Sequence, residues 1–135
     1  MELIGRTYNI IPTADAVWVN LRDVKEVSFV GVGADTFTVQ SSATASGGGT
    51  NLAVVDHSYQ NANANGSTAF TTVTQAAGAA VVSTAAVTVI EVHDAMLPDG
   101  HKYVRCSSTS TALVVAVAGD LVVQRKISNL AALGV

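Results

Sequence analysis

The sequence predicts an all-β fold: a single-domain two-layer β-sandwich or closely related barrel, built from about eight short antiparallel strands. Three observations carry this expectation. Apolar and polar residues alternate with period two along most of the chain, β-branched Val and Thr fill the alternating runs, and clusters of Gly, Asn and Ser separate them. At 135 residues the chain fits one domain, 1–135, large enough to bury a core. It would carry an N-terminal arm over about 1–12 and an extended or short helical tail over about 126–135.

The elements follow in order. In "VWVNL" (17–21), Val17, Val19 and Leu21 share one face, with Trp18 and Asn20 on the other. "EVSFVGVGA" and "TFTVQSS" flank Gly33-Ala34-Asp35 and read as a hairpin, with Phe37 and Val39 inward and Thr36, Thr38 and Gln40 outward. "SSATASGGGT" (41–50) reads as a surface loop, since consecutive glycines disfavour regular structure. "NLAVVDHSYQ" is the next candidate strand, and "NANANGST" (61–68) is a turn-rich connection leading into "AFTTVT". "QAAGAAVVSTAA" leaves a short helix open through its alanines, against which Gly78 and the Val and Thr residues weigh. "VTVIEV" (87–92) and "KYVRCSS" are strands joined through Pro98-Asp99-Gly100, a turn signal. "TALVVAVAGDLVVQRK" reads as two strands broken at Gly119-Asp120. Its "LVVAVA" run is apolar on both faces and belongs in a central strand or against another subunit, because as an exposed edge it would aggregate.

The densest group of chemically able residues is "VHDAMLPDGHKYVRC" (92–106). A metal reading would bring His93 and His101 together across a hairpin, with Asp94 or Asp99 as a third ligand. No HExxH, EF-hand or paired CxxC pattern supports it, and structural zinc sites normally take four ligands. The segment reads better as a bend, with Cys106 sharing the inner face with Val104 and acting as a small buried hydrophobe. A Cys106–His101 nucleophile pair lacks the exposed, electropositive setting that activates a thiol. Asp56-His57-Ser58 is not a triad, because strand neighbours point to opposite faces. "SGGGT" lacks the lysine and the following helix of a phosphate loop. No carboxylate pair or nucleophile–base spacing suggests an enzyme, and no cofactor or metal is expected.

Composition narrows the partners. Charged residues make up 13% of the chain, about half the usual share, while 49% is hydrophobic. Seven basic residues against a net charge of −3 argue against nucleic acid, which needs clustered Lys and Arg to displace counterions. The N-terminus lacks a signal-peptide pattern, and the apolar runs fall short of the ~18 residues of a membrane span. Synthesis in the cytoplasm and no membrane partner are the expectation. Low charge removes self-repulsion and favours a subunit that buries surface in an assembly.

The order of features resembles small structural proteins of tailed bacteriophage heads. The resemblance runs through "VWVNLRDVKEVSFVGVGA", "TFTVQSSATASGGGTNL", "FTTVT" and "VTVIEVHDAMLPDGHKYVRCSSTST" with the apolar strand after it, covering most of 17–125. Val17, Val19, Leu21 and Asp23 fit a V-x-V-x-L-x-D opening. Glu91, Val92, Leu97, Gly100, Tyr103, Val104 and Arg105 fit a later pattern in which Cys106 replaces the usual valine. The resemblance implies a virion protein that decorates or cements the capsid surface and stabilises contacts between major capsid subunits. It supplies no catalytic residues. The partners it implies are the major capsid protein and further copies of the chain, a trimer being the natural guess at a capsid three-fold. Leu3, Ile4, Trp18, Ile127, Leu130 and Leu133 are the candidate interface residues, with core packing as the alternative for Trp18 and capping of the sandwich for the others. Other readings are a tail, neck or head-fibre component, or a glycan-binding module resting on Trp18, Tyr8, Tyr59 and Tyr103.

Overall fold

The computed structural model describes residues 2–3, 6–7, 9–13, 16–22, 24–54, 56–110 and 113–121, and among these it is all-β. The strands are β1 (Glu2–Leu3), β2 (Arg6–Thr7), β3 (Asn9–Thr13), β4 (Val19–Asn20), β5 (Val24–Val32), β6 (Asp35–Ser42) and β7 (Thr50–Asn51). They continue with β8 (Ser58–Asn61), β9 (Thr71–Thr72), β10 (Val81–Ser83), β11 (Val87–His93), β12 (Tyr103–Ser108) and β13 (Leu113–Leu121). A single 3-10 turn, Asp94–Met96, interrupts the strands among the described residues. None of the described helical structure is long and apolar enough to cross a membrane.

Two antiparallel sheets form the sandwich. A six-stranded sheet runs β3-β13-β5-β11-β8-β9; the other runs β10-β6-β12-β4, with β7 also paired to β6. β10 takes the start of β6 and β7 its end, through Val81↔Phe37 and Asn51↔Gln40. β1 and β2 pair with each other. Part of the stretch read as an N-terminal arm belongs to the main fold, since β3 closes the six-stranded sheet along β13.

The inward sets follow the alternation. Phe37 and Val39 on β6 and Val104 and Cys106 on β12 are buried, as are Val27 and Phe29 on β5 and Ile90 and Val92 on β11. Together with Val19, Leu21, Leu52, Val54 and Val114 they make one core cluster between the sheets. β13 is internal, between β3 and β5, as a strand apolar on both faces requires.

Three expectations are corrected. β5 and β6 are not a hairpin: they lie in opposite sheets and the chain arches from one to the other. The same holds for β11 and β12 around Pro98-Asp99-Gly100. The β5–β6 corner sits beside the β10–β11 corner, where the Gly33 N–H donates to the Ala86 carbonyl at 2.8 Å. The reason is packing. The arch carries Phe37 into the opposite sheet, from which its ring packs across the core against β5 at Gly31. Gly119-Asp120 does not break β13, which stays paired to β5 through Gly119↔Glu26 and Leu121↔Val24. In the Ala-rich segment, where the sequence leaves a short helix and extended chain both open, the chain contributes β10, whose Val81 is fully buried. The all-β sandwich is as expected, and several of its described strands are two-residue pairings. The C-terminal tail lies outside the described residues.

Asp35 holds the first arch to the last connection. The residue is 8% exposed, and its carboxylate accepts from the Thr36 N–H at 2.6 Å, the Thr109 hydroxyl at 2.7 Å and the Ser110 N–H at 3.1 Å. Removing this acceptor leaves the Thr36 and Ser110 N–H groups and the Thr109 hydroxyl without their shared partner at a part-buried corner. We predict that Asp35→Ala lowers unfolding free energy by about 2–3 kcal/mol in urea titrations, and Asp35→Asn by less. A loss under about 0.5 kcal/mol for alanine would contradict this role.

Candidate functional site on the outer face of the six-stranded sheet

The register across β13, β5 and β11 places residues in rows on the outer face. Val32 stands beside Val87, and Val30 beside Val115 and Val89. Ser28 stands beside Val117 and Glu91, and Glu26 beside Gly119 and His93. Tyr59 of β8 extends the Val30 row past Val89. One end of the face is therefore valine on three adjacent strands and the other end is acid and imidazole. The valines are half-buried, except Val32, which is 45% exposed. A solvated face of an antiparallel sheet ordinarily alternates to polar residues. Here β-branched side chains occupy both faces of the central strands.

At the polar end, β8 is extended backwards by His57, whose carbonyl accepts the Glu91 N–H at 2.8 Å. The His57 N–H in turn donates to the Val54 carbonyl at 3.1 Å, across a turn in which Asp56 has φ +64°. Glu91 and His93 are two apart on β11 and share the outer face. The imidazoles of His57 and His93 meet edge to face, with centroids 5.6 Å apart and planes at 73°. One ligand atom from each of His57, Glu91 and His93 lies within 4.8 Å of the other two. The Glu26 carboxylate is 3.7 Å from His93 Nδ1. It has room there because its neighbour on β13 is Gly119: a Cβ at that position would sit 2.6 Å from Glu26 Oε1.

The histidine pairing differs from the one the sequence suggested. His93 and His101 flank an arch between sheets, and His101 Nδ1 is hydrogen-bonded to Ser41 Oγ at 2.9 Å in the other sheet. Asp94 and Asp99 are exposed and lie outside the cluster. The partner of His93 is His57, which sequence reasoning considered only with its neighbours Asp56 and Ser58. Ser58 is buried with its hydroxyl donating to the Val54 carbonyl at 3.3 Å, on the face opposite the His57 ring. The alternation "DHSYQ" against "VTVIEVH" would have shown that both imidazoles face outward, but not that the two strands pair.

The other candidates are placed as follows. Trp18 is 8% exposed, and the Arg105 guanidinium lies 4.4 Å above its ring while donating to Gln40 Oε1 at 3.0 and 2.7 Å. The indole is thus packed by the chain itself. Leu3 belongs to β1, but its side chain, and all of Ile4, Ile127, Leu130 and Leu133, lie outside what is described. Tyr8 lies outside it as well, while Tyr59 and Tyr103 are half-buried. "SGGGT" is the loop joining the paired strands β6 and β7. A depression of about 260 Å³ beside β8 and β9 is lined by Gln60, Ala62, Thr68, Ala69, Thr71, Thr84 and Ala85. It offers hydroxyls and one amide but no titratable group. No protein-family model, curated protein or solved structure matches the chain, so the outer face itself is the basis for a functional reading.

Proposed function

We propose that the chain is a structural component of a tailed-phage virion: a capsid decoration protein that binds the outer shell and holds neighbouring major capsid subunits together. The observation that supports this best is the valine face formed by Val30, Val32, Val87, Val89, Val115 and Val117. A rigid, twisted sheet that presents β-branched side chains can bury them against a matching apolar surface with little loss of rotamer freedom. A stable protein–protein contact needs roughly 800 Å² from each partner, so docking would centre on these valines and take in neighbouring residues of the sheet as well. The low charge of the chain fits a building block whose surfaces are meant to be covered. The order of sequence features resembling phage head proteins points to the same partner.

The test is co-sedimentation of the purified chain with expanded, undecorated phage shells, alongside light scattering of the free chain. Saturable binding at a fixed ratio to capsid subunits, with a homo-oligomer in solution, is the expected result. A chain that stays monomeric and ignores shells would overturn the reading. So would binding confined to tails or necks, which would make it a different virion part.

A further inference from the structure

We propose that His57, Glu91 and His93 form a binding site for a divalent transition-metal ion, zinc being the best match to the donors. Two imidazole nitrogens and one carboxylate oxygen suit zinc, whereas magnesium and calcium take oxygen ligands. The three ligand atoms lie within 4.8 Å of one another. Zinc ligands at ~2.0–2.2 Å in a tetrahedron stand ~3.3–3.6 Å apart, so closure needs side-chain rotations of about 1 Å and no backbone change.

The sheet has already made the larger adjustments. Glu91 and His93 project from the same face of β11, and His57 is held across from Glu91 by the backbone hydrogen bond between them. The two rings are in edge contact. Glu26, paired across the strands with His93, has a carboxylate oxygen 3.7 Å from Nδ1, which a small side-chain rotation brings within hydrogen-bond distance. Metal-binding imidazoles commonly have such an outer carboxylate, which accepts the second ring N–H and fixes the tautomer. Glu26 is therefore a positioning residue in this arrangement, and Gly119 gives it the space. All three ligands are half-buried, so an ion has access from solvent and a water completes its coordination. The inference stands on this cluster alone and is independent of capsid binding.

The experiment is calorimetric titration of the untagged full chain with zinc chloride, followed by imidazole NMR of the same sample. One ion per chain with at least micromolar affinity is expected. His57→Ala and His93→Ala should each weaken binding by about 100-fold or more, and Glu26→Gln by about tenfold. His101→Ala, which removes the imidazole in the other sheet, should leave affinity unchanged. In the unaltered chain zinc should shift the ring signals of His57 and His93 and leave those of His101 in place, a readout that needs no variant to fold. Absence of binding, equal loss in the His101 variant, or ring shifts at His101 alone would overturn the proposal.

Discussion

Phe37→Ala is expected to destabilise the fold by about 3–5 kcal/mol, a large part of the 5–15 kcal/mol that typically separates folded from unfolded domains. Phe37 is 1% exposed and is the first inward apolar residue after the β5–β6 arch has crossed between sheets. Its ring reaches back to β5, where Gly31 leaves the space for it. A Cβ on Gly31 would lie 2.5 Å from Phe37 Cζ and 2.6 Å from Cε1. No side chain from β5 at that position can fill the void left by truncation, so a cavity remains. The same contact gives a second readout. Gly31→Ala overpacks the site at a cost of about 1–3 kcal/mol. Combining it with Phe37→Leu should recover at least about 0.5 kcal/mol relative to the sum of the single changes. Urea unfolding of the single and double variants measures both. A Phe37→Ala loss under about 1 kcal/mol would mean that the ring is not closely packed.

On the proposed capsid-binding role, Val89→Asp is expected to reduce binding to expanded shells by about 100-fold or more, which corresponds to about 2.7 kcal/mol. Val89 stands in the middle of its row, with Val30 on one side and Tyr59 on the other. A carboxylate placed there would be buried without a partner on docking, and that desolvation costs several kcal/mol. The free chain loses far less, because the side chain it replaces is half-buried and a carboxylate there keeps part of its water. Thr38→Asp on β6, which points outward from the other sheet, is the matched control and should bind as the unaltered chain does. Co-sedimentation with shells, with unfolding measured in parallel, gives both quantities. Unimpaired binding of the Val89 variant would remove this face as the docking surface. Binding lost only in the Thr38 variant would move it to the opposite sheet.

Much of the fold was legible in the sequence because it depends on local periodicity. Phe37, Val39, Val104 and Cys106 face inward, as alternation requires, and "LVVAVA" is internal because it is apolar on both faces. Gly33-Ala34-Asp35 and Pro98-Asp99-Gly100 do reverse the chain. Turn chemistry describes only a few residues, however, and the same few serve a hairpin within a sheet and an arch between sheets. The choice falls to distant partners: β5 pairs with β11 and β13, and β6 with β10 and β12. Likewise, pairing with β5 carries β13 through Gly119-Asp120, overriding a local break signal.

The candidate site divides along the same line. The outward valines and the shared face of Glu91 and His93 follow from a period of two, which any single strand displays. The meeting of His57 with His93, the placement of Glu26 beside them and the clearance left by Gly119 arise only when β8, β11, β5 and β13 lie side by side. Local alternation alone sets which residues each strand turns inward and outward. The tertiary structure decided which strands became neighbours, because register between distant segments is set by the packing of the whole core and not by any run of adjacent residues.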